Sequence, residues 1–185
     1  GVSMFVGLNG SGISAEAILK DGHVGTSGLN HKALVCMDQV HGNDVVWVKE
    51  TENGVRGSLL QFPATGIEIR QDSLVSNLDL DHPAYRGYKD KVTDTFCFRS
   101  DALISNAKDI VLAVKTADCL PVFMYGAGYM AVVHAGRQGT LLGITDRVCR
   151  ALQCLGADHV DVWFGPASCV MCYEIHKDTH THFNL

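Results

Sequence analysis

Residues 110–139, IVLAVKTADCLPVFMYGAGYMAVVHAGRQG, contain the pattern that decides the fold. Three apolar segments of strand length, 110–114, 120–125 and 129–133, are separated by a polar linker and by the turn sequence GAG at 126–128. Continuous apolar runs of this length, bounded by turn residues, are typical of buried strands. They predict three buried strands, of which the last two form a β-hairpin.

A helix is predicted directly after this hairpin. Apolar residues recur at the spacing of one helical face, and Gly156 is placed to terminate the helix. The residues of that face are Leu141, Ile144, Val148, Leu152 and Leu155. Residues 160–164 then predict a further strand, which stops at Gly165-Pro166.

The first half of the chain is less regular. Residues 45–48, VVWV, predict a strand, whereas residues 1–30 predict loops and short strands. Residues 51–98 show no sustained period, and we expect a variable excursion with about two short strands. Taken together, these patterns predict a single α/β domain over residues 1–185.

The composition excludes several classes of protein. The chain has 185 residues, of which 46% are hydrophobic and 19% charged, values close to the average for globular proteins. A net charge of -5 argues against nucleic-acid binding. The most apolar stretch, 119–133, is interrupted by Pro and Gly and is too short to cross a membrane. Seven cysteines without a signal-peptide pattern favour reduced thiols and a cytoplasmic location.

Three short strings place reactive side chains at strand ends: QVHG at 39–42, TADC at 116–119 and VHAG at 133–136. His41, Cys119 and His134 could provide three ligands to a zinc ion whose fourth position stays open, which is the arrangement of a catalytic site. Their spacing matches no compact zinc-finger pattern. Buried Cys and hydrogen-bonded His therefore remain the alternative explanation.

These strings, together with DALI at 101–104 and GPA at 165–167 followed by CYE at 172–174, resemble the YfiH-like laccase-domain family. Members have been described as multicopper polyphenol oxidases and as zinc-dependent purine nucleoside phosphorylases with adenosine deaminase activity. The resemblance is close over 99–175, good over 39–48, weak over 1–34 and absent over 51–98. It implies a layered α-β-β-α sandwich with mixed sheets, and it implies that His41, Cys119 and His134 are metal ligands and catalytic residues.

The chain departs from the family at two places. Where the family usually has HAGWRG, this chain has HAGRQG at 134–139, so the Trp is absent and the Arg is displaced by one position. After residue 167 the Gly-Pro pair common in relatives is missing, and the chain stops soon afterwards. We therefore expect altered substrate contacts and a shortened carboxyl-terminal part of the sheet or site.

The predicted helix start is a candidate site for phosphate or substrate. Gly136, Arg137, Gly139 and Thr140 would present backbone N–H groups, the positive end of the helix dipole and one cationic side chain to an anion. The alternative is an ordinary glycine-rich turn between strand and helix.

Other reactive residues favour simpler explanations. Cys169 and Cys172 form a Cys-x-x-Cys motif without a second pair, which is typical of ordinary thiols. His176, His180 and His182 indicate a solvated tail that could bind metal adventitiously. Asp118, beside Cys119, is either a proton carrier or a turn residue.

The function favoured at this point is a zinc-dependent purine nucleoside phosphorylase with adenosine deaminase activity, acting on a purine nucleoside and phosphate. Three alternatives remain: a copper-dependent polyphenol oxidase, a thiol hydrolase or deamidase with Cys119 as nucleophile and His134 as its base, and a non-catalytic remnant. The sequence predicts no nucleic-acid or membrane partner, and it does not indicate the oligomeric state.

Overall fold

The computed structural model describes residues 33–52, 54–76, 87–90 and 95–174. Within these ranges the chain forms strands and two helices on a mixed α/β plan, which confirms the predicted fold class. The strands are β1 (Ala33–Asp38), β2 (Val45–Thr51), β3 (Gly54–Gln61), β4 (Glu68–Ser76), β5 (Gly87–Asp90), β6 (Thr95–Arg99), β7 (Ala102–Ser105), β8 (Ile110–Ala113), β9 (Leu120–Gly126), β10 (Tyr129–Ala135) and β11 (Asp161–Phe164). The helices are α1 (Arg137–Leu141) and α2 (Ile144–Cys154).

The strands form two sheets. The smaller has the order β5-β6-β1-β8, with β1 parallel to both β6 and β8. The larger has the order β11-β9-β10-β7-β2-β3-β4 and is antiparallel except for the parallel pair β2 and β7. Since the parallel pair lies at the centre of the larger sheet, the beginnings of β2 and β7 and the end of β10 meet at one edge.

Two apolar layers hold the sheets and helices together. The first lies between the sheets and includes Val35 of β1, Phe98 of β6 and Leu103 of β7. The second lies between the larger sheet and α2, whose Val148 and Leu152 are fully buried. Burying a side chain of this size contributes about 1.5–3 kcal/mol to folding. The central strands of the larger sheet are thus covered on both faces.

Both helices in the described ranges lie on the same side of the larger sheet. The described layers are therefore the smaller sheet, the larger sheet and one helical layer. The second helical layer that the family resemblance implies has no counterpart in the part of the chain that the structure describes. No helix in that part is long and apolar enough to span a bilayer.

The hairpin and the helix follow the sequence prediction closely. Strands β9 and β10 pair from Tyr129 opposite Gly126 to Ala135 opposite Leu120, around a turn in which Gly128 has a φ of 81°. The predicted helix is divided, because Gly143 takes a left-handed conformation (φ 72°) between α1 and α2. Gly156, also left-handed (φ 99°), ends α2 as predicted.

Two predictions for the strands need correction. Residues 51–98 carry four strands in the described ranges rather than about two short ones. The reason is visible in β3, which is covered on both faces: Leu59 packs between the two sheets and Leu60 packs towards the helices, so apolar residues are adjacent and the sequence shows no period of two. Strand β8 is an edge strand of the smaller sheet and only Ile110 is buried, so the prediction that it is fully buried is wrong.

The remaining strand predictions have mixed outcomes. Residues 45–48 lie in β2, which confirms the strand expected there. Strand β11 is likewise confirmed, at the exposed edge of the larger sheet. The loops and short strands expected over 1–30 lie outside the described residues.

Candidate metal centre

Three reactive side chains meet at the end of the larger sheet where β2 and β7 begin and β10 ends: those of His41, Cys119 and His134. One potential ligand atom from each residue lies within 4.8 Å of those of the other two. The antiparallel pairing of β9 and β10 places Pro121 opposite His134, which brings the preceding Cys119 beside the end of β10. His41 arrives from the loop between β1 and β2, and its ring meets that of His134 edge to face at 4.9 Å between centroids.

A buried carboxylate, that of Asp101, organises this edge of the sheet. Its Oδ1 accepts hydrogen bonds from Nδ1 of His134 at 2.9 Å and from the backbone N–H of His41 at 3.0 Å. Its Oδ2 accepts from the N–H groups of Gly42 at 2.7 Å and Val40 at 3.3 Å. The side chain of Asp101 is fully buried; its bond to His134 is buried, and its three bonds to the backbone are part-buried.

The same contacts set the charge of Asp101 and the tautomer of His134. Burial alone would raise the pKa of Asp101, but the hydrogen bonds from His134 and Gly42 outweigh it and hold the pKa below its ordinary value. An ionised carboxylate can only accept hydrogen bonds, so Nδ1 of His134 carries a proton. In the neutral imidazole, Nε2 is then left with a lone pair that can bind a metal ion.

The loop that carries His41 is held in an uncommon conformation. His41 has a φ of 58°, which non-glycine residues adopt infrequently. The three consecutive N–H groups of residues 40–42 all point to Asp101, which fixes this turn. Gln39 adds a second anchor, since its amide bonds both the N–H and the carbonyl of Lys115, in the segment that leads to Cys119.

The thiol of Cys119 is half-buried, between the exposed His41 and the buried His134. Burial raises the pKa of Cys119, and the nearby Asp118 carboxylate acts in the same direction. The backbone N–H of Arg137 hydrogen-bonds the thiol and acts in the opposite direction. A metal ion that binds here therefore displaces a proton from Cys119.

Gly136 leaves the space that such an ion needs. A Cβ atom built on Gly136 would lie 3.2 Å from Sγ of Cys119, 3.3 Å from Cδ2 of His41 and 3.4 Å from Cε1 of His134. Because Gly136 has no side chain, a space remains between the three donor residues. One thiolate and two imidazoles around such a space, with a carboxylate behind one imidazole, match the ligand chemistry of zinc.

The other predicted site residues have different surroundings. Arg137, Gln138 and Thr140 are exposed at the start of α1. Gly139 is buried, and a Cβ there would come 2.8 Å from the carbonyl oxygen of Gly42, so its absence lets α1 approach the His41 loop. This packing explains Gly139 without a ligand.

Asp118, the residue before Cys119, is held by the chain itself. The carboxylate of Asp118 accepts a hydrogen bond from the hydroxyl of Ser168 at 2.7 Å. The backbone carbonyl of Asp118 accepts a second one from the N–H of Ser168 at 3.0 Å. These two bonds favour the turn role over the proton-carrier role for Asp118. The predicted tail histidines 176, 180 and 182 lie outside the described residues.

Two residues important to this site did not emerge as functional from the sequence. Asp101 appears there only as the first letter of DALI, and Gln39 only as the first letter of QVHG. A carboxylate directly before the apolar residues 102–104 of β7 was the available signal for Asp101. Its role depends on partners about sixty residues away, which the sequence does not place.

Comparison with known proteins identifies the family of this chain. Residues 22–185 match the family model described as multi-copper polyphenol oxidoreductase laccase, and the chain belongs to this family. A purine nucleoside phosphorylase of Aquifex aeolicus is 30% identical over 117 residues, which are 63% of this chain and 50% of that protein. The adenosine deaminase RL5 of an unknown prokaryotic organism is 36% identical over 94 residues, which are 46% of this chain and 36% of that protein.

The fold has solved counterparts. The crystal structure of the YfiH protein of Bacillus licheniformis matches with a TM-score of 0.59 and 20% identity, over 96% of this chain and 57% of that one. At this identity the match concerns the fold alone. The chain spans half or less of the length of the two curated relatives described above.

Proposed function

We propose that this chain carries the metal site of a zinc-dependent purine nucleoside phosphorylase. The observation that carries the proposal is the convergence of His41, Cys119 and His134 around a space kept open by Gly136. The name of the Aquifex relative supports the reaction. Three protein ligands with increasing exposure from His134 to His41 suit a site that must also admit substrate.

The residues of the chain would divide the work as follows. His41, Cys119 and His134 would hold the zinc ion, which acts as a Lewis acid on a substrate oxygen or nitrogen. Asp101 keeps Nδ1 of His134 protonated, and so aims Nε2 at the site. The N–H of Arg137 favours the thiolate form of Cys119.

Phosphate would be the second substrate. In phosphorolysis an oxygen of phosphate forms a bond to the anomeric carbon of the ribose, and the glycosidic bond breaks to release the purine base. Arg137 and Thr140 follow Gly136 in the first turn of α1, and their side chains would bind the phosphate. Replacing Arg137 by Ala should therefore raise the phosphate concentration needed for half-maximal rate, whereas Gln138→Ala is the matched exposed control.

Product analysis tests the reaction itself. Zinc-loaded protein is incubated with adenosine, with and without phosphate, and the products are separated by chromatography. We expect adenine and ribose 1-phosphate that depend on phosphate. Absence of turnover by fully zinc-loaded protein would contradict the proposal and favour the non-catalytic alternative.

Deamination is a second candidate, because the RL5 relative is named an adenosine deaminase. Its mark in the same experiment is inosine formed without phosphate. Copper-dependent phenol oxidation corresponds to the description of the family model. A multicopper enzyme needs several metal sites, however, and the described residues contain one cluster of three or more possible ligands.

A Cys119→Ser variant separates the metal-ligand role from a thiol nucleophile. Under the proposal the variant loses both stoichiometric zinc and activity, because a serine hydroxyl replaces a ligand thiolate. Loss of activity with full retention of zinc would favour the thiol hydrolase instead. Cys154→Ser makes the same change at an exposed position on α2 and should alter neither quantity.

A further inference from the structure

The segment after β11 carries a cysteine pair that the proposed function does not use. The segment lies alongside the start of β9. The N–H of Gly165 donates to the carbonyl of Pro121 at 2.9 Å, and Ser168 hydrogen-bonds Asp118. Cys169 comes directly after Ser168, and Cys172 comes three residues later; both are exposed. The segment is therefore anchored on one side and open to solvent at the two thiols.

The local backbone brings these two thiols together. The N–H of Cys172 donates to the carbonyl of Cys169 at 2.9 Å, which closes a turn of four residues. Such a turn keeps its first and last Cα atoms within about 7 Å, and disulfides span Cα separations of about 4.4–6.8 Å. The two Sγ atoms lie 3.2 Å apart, within hydrogen-bonding distance.

We propose that Cys169 and Cys172 form a reversible dithiol–disulfide site that reacts with small disulfides such as oxidised glutathione. The proposal rests on the turn, on the sulfur–sulfur distance and on the exposure of both thiols, and it is independent of the proposed function. A metal site fits less well, because two thiols alone supply too few ligands. Within the described residues, no cluster of three or more possible ligands includes either cysteine.

The two thiols take different roles in the reaction. The thiolate of Cys169 attacks one sulfur of oxidised glutathione, which forms a mixed disulfide and releases one glutathione thiolate. The thiolate of Cys172 then attacks the sulfur of Cys169, closes the internal disulfide and releases the second glutathione. The protein loses two protons and two electrons, and one oxidised glutathione becomes two reduced molecules.

The electrostatics of the turn support this order. The hydrogen bond between the thiols lowers the pKa of Cys169, and the backbone N–H of Met171 lowers it further. The same hydrogen bond raises the pKa of Cys172. At neutral pH the attacking thiolate therefore forms mainly at Cys169.

Mass spectrometry of the folded protein tests the proposal. Chymotryptic cleavage after Phe164 and Tyr173 gives a peptide, 165–173, in which these are the two cysteines. After equilibration with oxidised glutathione and acid quenching, we expect this peptide to be lighter by two hydrogen atoms. Reduced glutathione should restore the original mass.

Variants then test the two roles. In Cys172→Ser the mixed disulfide should persist as a glutathione adduct on Cys169, whereas in Cys169→Ser the adduct on Cys172 should form about tenfold more slowly. Cys154 is an exposed thiol elsewhere on the protein and provides the reference rate. Glutathione adducts at equal rates on all three thiols, without an internal disulfide, would overturn the proposal. An internal disulfide that forms only in denaturant would overturn it as well.

Discussion

Replacing Asp101 by Asn tests whether the buried carboxylate prepares the candidate metal centre. The carboxylate accepts from four donors, the N–H groups of Val40, His41 and Gly42 and Nδ1 of His134. Each oxygen serves two of them. An amide of the same shape keeps one oxygen and presents its own N–H groups where the other oxygen was.

The magnitude follows from the donors that lose their acceptor. Two of the four then face an amide nitrogen, and a buried donor without an acceptor costs about 1–3 kcal/mol. We therefore expect the metal-free Asp101→Asn protein to lose about 2–6 kcal/mol of unfolding free energy. His134 can relieve part of this cost by accepting at Nδ1, but its proton then moves to Nε2 and blocks metal binding. Zinc affinity should fall by about 10–100-fold.

Two measurements give these quantities, and one variant controls for charge. Competition with a chromophoric chelator measures zinc affinity, and urea unfolding of the metal-free protein measures stability. Asp118→Asn removes the same charge beside Cys119 on an exposed residue whose hydrogen bond from Ser168 an amide oxygen can still accept. A zinc affinity in Asp101→Asn no weaker than in Asp118→Asn would refute the reasoning, since the effect would then be charge alone.

Three further predictions concern the site, the core and pH. Gly136→Ala should lower zinc affinity at least about tenfold, because the new Cβ would press on all three ligand residues. The stability of the metal-free protein should change little, because the backbone at this position (φ -74°) tolerates any side chain. Unchanged zinc binding in chelator competition would contradict this. Gly57→Ala should lower the free energy of unfolding by about 1–3 kcal/mol, because the ring of Phe98 occupies the place of the new Cβ. An unchanged midpoint of urea unfolding would contradict this and would mean that the two sheets can separate there. The lowered pKa of Asp101 stabilises the folded metal-free protein above the unfolded pKa of about 3.9, and this contribution is lost as the pH falls through the folded value. Unfolding measured from pH 6 to pH 3 should show a steeper loss in the native protein than in Asp101→Asn, and equal slopes would remove Asp101 from the explanation.

Local patterns in the sequence were sufficient to predict the hairpin and the helix. The apolar runs on either side of GAG became β9 and β10, and the helical face around Val148 and Leu152 is buried against the larger sheet. Both elements are formed by contacts between residues close in sequence. Their periodicity therefore carries most of the information needed.

Strands covered on both faces were harder to predict. In β3, Leu59 packs between the sheets and Leu60 packs towards the helices, so alternation is absent from the sequence. Strand β1 was not predicted as an element, although ALVCM at 33–37 is a continuous apolar run. Its place in the smaller sheet comes from two parallel partners, β6 on one side and β8 on the other, both more than sixty residues away in sequence.

The three candidate ligands were identified from motif resemblance, but the reason that they meet lies in the strand order. Pairing of β7 with both β2 and β10 places Asp101 between the two segments that carry His41 and His134. His134 stands on a strand and is fixed by packing, whereas His41 stands on a loop that the hydrogen bonds to Asp101 and the Gln39 anchor help to hold in place. A metal centre needs its donors positioned before the ion arrives. On this argument the carboxylate of Asp101 matters more for the exposed His41 than for the buried His134, because it supplies the rigidity that the loop lacks.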